Sequence, residues 1–129
     1  MRFAMSSVDV FELVGVDAGP VGAPILRSID LVIPANGMTV LAGPSGAGKS
    51  TLLRLLNRLD DPTAGEVRWR GRPLIEWAPT ELRRQVAMVF QRAPLFPGTV
   101  LDNLRVALAQ VDHERAAHVL EHVGLSAEM

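Results

Sequence analysis

The chain has 129 residues, a formal net charge of −1 and no cysteine. That length suits one small domain with its own core. The balanced charge gives no overall field toward nucleic acid or anionic lipid, and the lack of cysteine excludes disulfide frameworks and thiolate metal sites.

Met1-Arg2-Phe3-Ala4-Met5-Ser6-Ser7 lacks the apolar stretch of a secretory signal, and no apolar run approaches the ~20 residues that span a bilayer. A soluble, cytosolic chain is the expectation. Residues 8–16 read as a strand, closed by the turn-rich Asp17-Ala18-Gly19-Pro20-Val21-Gly22-Ala23-Pro24. Residues 25–33 read as a second strand, and Pro34-Ala35-Asn36-Gly37 is a turn into a short apolar strand over 38–42.

Then comes Gly43-Pro44-Ser45-Gly46-Ala47-Gly48-Lys49-Ser50-Thr51, followed by apolar residues at helical spacing over 50–59. Gly43-x-x-x-x-Gly48-Lys49-Ser50, with a strand before and a helix after, is the pattern of a phosphate-binding loop. Glycines let backbone N–H groups turn toward phosphate oxygens without a Cβ in the way. The helix start adds unpaired N–H groups and the positive end of its dipole. Lys49 can set a compact charge between β- and γ-phosphates, and the Ser50 hydroxyl can reach Mg2+. Lys49 is the one lysine among thirteen basic residues, used where a point charge suits phosphate better than a planar fork. The alternative is a plain glycine-rich turn before a buried helix. The coincidence of full spacing and context favours a binder of nucleoside triphosphate, or a descendant of one.

The helix is expected to stop at Asp60-Asp61-Pro62, because Pro62 cannot continue it. Both acids would oppose the helix dipole and face solvent rather than hold Mg2+. Residues 66–70 form a short strand with Gly71-Arg72-Pro73 as its turn, and Thr80 caps about one helical turn over 80–84. The almost wholly apolar 86–90 suits a strand buried on both faces of a parallel sheet. Gln91 follows, then an irregular loop over 92–98 with Pro94 and Pro97. Thr99 caps a helix to Leu108, with Val100, Leu101, Leu104 and Leu108 on one side. Asp112 caps a last helix striped by Ala116, Val119, Leu120 and Val123, and Gly124 supplies its left-handed end. His118 and His122 are i,i+4 neighbours able to chelate a metal, but without a third ligand a solvated helix face is the better reading.

The strand pair, Gly43 to Leu53, Pro62-Thr63-Ala64-Gly65-Glu66-Val67, Val86-Ala87-Met88-Val89-Phe90-Gln91, Phe96-Pro97-Gly98-Thr99-Val100 and Asp102-Asn103-Leu104 succeed one another in an order that resembles the ATP-binding cassette (ABC) ATPases over about residues 9–126. The resemblance implies an α/β fold: a P-loop NTPase core with an N-terminal antiparallel β subdomain and the start of a helical subdomain. Residues 1–129 would be a partial ABC ATP-binding domain, 1–90 its β-rich and P-loop core and 91–129 the Q-loop and first helices. It implies that Gly43, Pro44, Ser45, Gly46, Ala47, Gly48, Lys49, Ser50 and Thr51 hold ATP, that Ser50 and Gln91 complete a Mg2+ shell, and that Lys49 and Gln91 serve catalysis. Gln91 would sense the γ-phosphate and pass its state to a membrane partner docked near 92–98. Taken alone, Gln91 is a polar residue at the end of a buried strand, where open α/β sheets bind ligands but where a solvated side chain is the default.

The implied function is that of an ABC transporter ATPase, coupling ATP binding and hydrolysis to transport. Its partners would be a transmembrane permease subunit and a second cassette, on the cytoplasmic face of the cell membrane, with no nucleic acid. Two departures qualify the likeness. Residues 16–24 lack the aromatic on which the family stacks adenine, leaving Pro20 or Val21 to support it or base affinity weak. The signature motif, the acidic strand end and the switch histidine of the family do not occur in these 129 residues. Phosphoryl transfer relies on several such parts at once, so negligible turnover is expected from this stretch alone. Low solubility is expected too, from unpaired edges at 38–42 or 86–90. Two rivals remain: a non-transport ABC ATPase of translation or DNA repair, for which the spread of the arginines offers no basic stripe, and a P-loop nucleotide kinase, which would give the Gln91 loop no role.

Overall fold

A computed structural model of the chain describes residues 9–126. Val8, at the start of the first expected strand, lies outside them. The chain forms two compact units, one running to Met88 and the other beginning at Val89.

The first unit is built on a four-stranded antiparallel sheet in the order β2-β1-β3-β4. Its strands are β1 (Asp9–Ala18), β2 (Leu26–Pro34), β3 (Ala64–Trp69) and β4 (Arg72–Pro73). Phe11 and Leu13 point into the core from β1, and after Gly15 the inward positions become Val16 and Ala18. That change of phase is a bulge: Gly15 takes φ 56°, its N–H donates to Asp30 Oδ1 at 2.7 Å, and the pairing register shifts between Leu13 and Val16. Gly65 crosses the bulge at φ 76°, where an added Cβ would lie 2.3 Å from the Gly15 carbonyl oxygen. Only glycine fits both conformation and space.

Helix α1 (Lys49–Leu56) lays Leu52, Leu55 and Leu56 on this sheet, sharing a core with Val67, Trp69, Leu74 and Leu82. Truncating a fully buried leucine such as Leu55 in such a core costs about 2–5 kcal/mol. The helix ends earlier than expected. Arg58 turns left-handed at φ 53°, with Arg58 N–H donating to Leu55 O at 3.1 Å and Leu59 N–H to Arg54 O at 2.9 Å. This is a Schellman end made without glycine, with Arg58 two residues before Asp60 and ahead of Pro62. Asp60 and Asp61 do not merely face water: Arg54 Nε reaches Asp60 at 2.7 Å and Arg58 Nε reaches Asp61 at 3.0 Å. The hydrogen bond from Arg54 holds the Asp60 carboxyl below its ordinary range.

Several other expectations change. Arg72 and Pro73 are not simply turn: they pair with Trp69 and Arg68 as β4, across a tight turn whose Arg70 and Gly71 have φ 50° and 77°. Helix α2 (Pro79–Gln85) is capped by Ala78, not Thr80, because Pro79 takes the first helical position. Residues 38–42 and 86–90 are not strands. Met38 and Val89 are 88% and 96% exposed. A parallel strand is held by hydrogen bonds to neighbours on either side, and none pairs with these runs among the described residues.

The second unit holds α3 (Val100–Ala107) and α4 (His113–His122). Thr99 and Asp102 form a reciprocal capping box at the start of α3, and the Asp112 side chain accepts from Arg115 N–H at 2.8 Å at the start of α4. Gly124, at φ 79°, closes α4 with Leu125 N–H donating to Leu120 O at 2.9 Å. Val111 and Ala116 are buried here, whereas Val119 and Val123 of the expected stripe are exposed. None of the described helices is long and apolar enough to cross a membrane.

Candidate nucleotide-binding loop

In the first unit Gly43 to Gly48 make an irregular turn that runs straight into α1, whose first residues are Lys49, Ser50 and Thr51. Gly46 and Gly48 carry φ 82° and 86°, the left-handed conformation that redirects the chain. Gly48 is the N-cap of α1 and offers no side-chain cap, and no acidic residue stands in the first turn. The N–H groups that open α1 therefore meet no carboxylate or hydroxyl of the helix's own first turn, and the helix dipole adds positive potential at that point.

Gly48 is also held closely by the sheet. A Cβ there would lie 2.7 Å from Leu26 Cδ2 and 3.1 Å from Ile25 Cγ2. The end of the β1–β2 connection thus fixes where the loop passes into the helix. Sequence reasoning did not find this contact, because Leu26 reads only as a strand residue.

Lys49, half-buried at the first position of α1, folds back over the loop. Its Nζ donates to Gly43 O at 2.8 Å and Pro44 O at 2.6 Å. The ammonium so closes the loop into a ring whose one charged group has a donor to spare. Ser50 is exposed, and its hydroxyl has no hydrogen-bond partner among the described residues. Ser45, Gly46 and Ala47 are exposed along the same turn, and Thr51 is half-buried in the first helical turn. Backbone donors, an ammonium and a free hydroxyl form a donor set matched to phosphate oxygens, with Ser50 suited to a hard cation.

Gln91 belongs to the second unit, where it is exposed and stands third from that unit's start. The loop after it is better ordered by side chains than its prolines alone suggested. Asn103 clamps it: Oδ1 accepts from Phe96 N–H at 2.8 Å, and Nδ2 donates to Phe96 O and Thr99 O, each at 2.9 Å. An asparagine in the first turn of a capped helix was the available signal, and it gave no hint of its partner. On α4 the His118 and His122 rings lie 5.0 Å apart, and no cluster of three potential metal ligands exists among the described residues.

A cleft of about 230 Å³ runs beside the loop between Ile29 and Leu31 of β2 and Leu41, Ala42 and Leu52. A second, of about 260 Å³, lies at the other end of α1 beside Arg58, Pro62 and Gly65, away from the motif. Ala47, Gly48 and Lys49 of the motif also line the first.

Comparison with known proteins accords with this geometry. The family described as ABC transporter matches residues 26–128. The lipoprotein-releasing system ATP-binding protein LolD of Anaeromyxobacter dehalogenans (strain 2CP-C) is 40% identical over 122 residues, 85% of this chain and 51% of LolD. Protein STAR1 of Oryza sativa subsp. japonica is 48% identical over 84 residues, 65% of this chain and 24% of STAR1. Among solved structures, a bacterial Atm1-family ABC exporter with ATP bound superimposes with a TM-score of 0.55 at 32% identity, over 59% of this chain and 14% of the exporter. The chain thus spans between 14% and 51% of the length of these relatives. With the family matched across residues 26–128, the chain belongs to the ABC transporter family.

Proposed function

We propose that the turn from Gly43 to Thr51 binds ATP with Mg2+, and that the chain is the nucleotide-binding part of an ABC transporter ATPase. The observation that carries the reading is the start of α1: a helix opened by Gly48, with neither cap nor acid in its first turn and with the chain's one lysine folded over it. Anions are favoured where unpaired N–H groups and a helix dipole converge.

In this reading the backbone from Gly46 to Thr51 cradles the β-phosphate, and Pro44 and Ser45 border it. Lys49 exchanges a carbonyl partner for a phosphate oxygen and lies between the β- and γ-phosphates. Ser50 and Gln91 would each offer an oxygen to Mg2+, which when bound would supply positive charge to the phosphates. Lys49 and Gln91 act in hydrolysis by positioning and charge. Hydrolysis itself is assigned to the assembled transporter: a second cassette and a transmembrane permease, at the cytoplasmic face of the membrane, with Gln91 and the Asn103-clamped loop toward the permease.

Titration of the purified chain with MgATP tests the binding step. Lys49→Ala should weaken affinity by about 10- to 100-fold, the worth of a charge-assisted hydrogen bond, with unchanged circular dichroism. Unchanged affinity would refute the phosphate-loop assignment. Co-purification of the full-length protein with a membrane permease, and not with ribosomes or DNA, tests the transport assignment.

A further inference from the structure

Helix α4 carries a pair of side chains for which nucleotide binding has no use. His118 and His122 stand one helical turn apart, and both are exposed. Their rings lie side by side, with centroids 5.0 Å apart and planes inclined by 35°. Neither imidazole takes part in a hydrogen bond or an ion pair among the described residues.

The spacing of the rings suits a shared ion. A metal bonds an imidazole nitrogen at about 2.0–2.1 Å, so two rings on one ion at an angle of about 90–110° have centroids about 4.5–5.2 Å apart. The observed 5.0 Å falls inside that window. Two histidines at i,i+4 on a helix are also the spacing that places both on one zinc ion.

The backbone beneath the rings is fixed from both ends. At the start of α4 the Asp112 side chain accepts from Arg115 N–H at 2.8 Å. At its end Gly124 N–H donates to Glu121 O and Leu125 N–H to Leu120 O, each at 2.9 Å. Ligands held on a closed helix lose little freedom on binding. Charge favours a cation as well. His122 is the last residue of α4, at the negative pole of its dipole. Glu114 and Glu121 lie four residues before and three after His118, against the single cation Arg115 three residues before it. The chain has no cysteine to compete for such an ion.

We infer that His118 and His122 chelate a divalent transition ion of the kind imidazole suits (Zn2+, Cu2+ or Ni2+), and that the bound ion fastens the last turn of α4. Water completes the shell, since no group of three metal-ligating side chains exists among the described residues. Half the ligand set of a structural zinc site gives a Kd on the order of 1–100 µM. The site is independent of the phosphate loop, and hard Mg2+ does not bind it.

The test is a calorimetric titration of the purified protein, prepared without a histidine tag and free of nucleotide, with Zn2+ as the probe and amide hydrogen exchange read in parallel. One zinc per chain should bind in that range. His118→Ala and His122→Ala, both at exposed positions, should each weaken it by about tenfold or more, whereas His113→Ala on the same helix should change it by less than about threefold. Zinc at about ten times its Kd should slow exchange over residues 118–124 by about tenfold, in the parent and not in the two variants, and Mg2+ should not. A zinc Kd above about 1 mM overturns the inference, as does an affinity equal in the parent and both variants. Unchanged exchange over 118–124 with zinc bound overturns it too.

Discussion

Helices α1 and α3 both follow irregular, glycine-containing loops, yet they begin in opposite ways. At α3 the Thr99 side chain accepts from Asp102 N–H at 3.1 Å, and Asp102 Oδ2 accepts from Thr99 N–H at 2.8 Å. At α1 the cap is a left-handed glycine and the first turn has no acid. Helix α2 also lacks a capping side chain, but it opens on Pro79 and carries Glu81 in its first turn. A good cap is worth about 1 kcal/mol, so the start of α1 forgoes stability that α3 and α4 take. What it keeps is a cluster of free donors pointing outward. The difference teaches that a helix end can be read as a structural joint or as a docking point, and that the side chains of three residues decide which.

The contrast can be broken from either side. The largest effect is expected from Gly48→Ala, which adds a Cβ 2.7 Å from Leu26 Cδ2 at φ 86°. It should cost about 1–3 kcal/mol through strain and crowding, seen as a lower midpoint in denaturant. A midpoint equal to the parent's would mean the loop yields freely. Next is Thr51→Asp, which gives α1 the carboxylate that α3 has at Asp102. Nucleotide affinity should fall about tenfold, roughly 1.4 kcal/mol, while the helix itself gains a few tenths from its dipole. Tighter binding would contradict an anion site at this helix start.

From the other side, Thr99→Ala should cost α3 about 1 kcal/mol, read as faster amide exchange in its first turn, and leave nucleotide affinity as it was. A parallel loss of affinity would show that the two helix starts are not independent. The smallest effect is in acid. The Thr99 N–H, and then its hydroxyl, hold the Asp102 carboxyl below its ordinary 3.8. A carboxylate lowered on folding stabilises above its unfolded value, and that contribution disappears as pH falls through the folded value. The Thr99 amide resonance should therefore titrate with a midpoint below 3.8, and a midpoint at or above it would dissolve the box.

What the sequence by itself determined is what residues decide among near neighbours. The loop from Gly43 into the start of α1, the caps at Thr99 and Asp112 and the glycine end at Gly124 each depend on bonds spanning six residues or fewer, and all were legible in order. So were the two front strands, over 8–16 and 25–33, while their antiparallel pairing was implied by the family resemblance. Other features needed distant partners. Arg58 takes a left-handed turn in place of glycine while its Nη1 donates to Trp77 O at 2.8 Å, nineteen residues away. Gly48 is held by Leu26 from across the unit. The apolar runs at 38–42 and 86–90 read as strands but stand unpaired among the described residues, since apolar composition alone does not make a strand. A helix closes its hydrogen bonds on itself, whereas a strand exists only when another segment arrives beside it, and that arrival is decided in three dimensions.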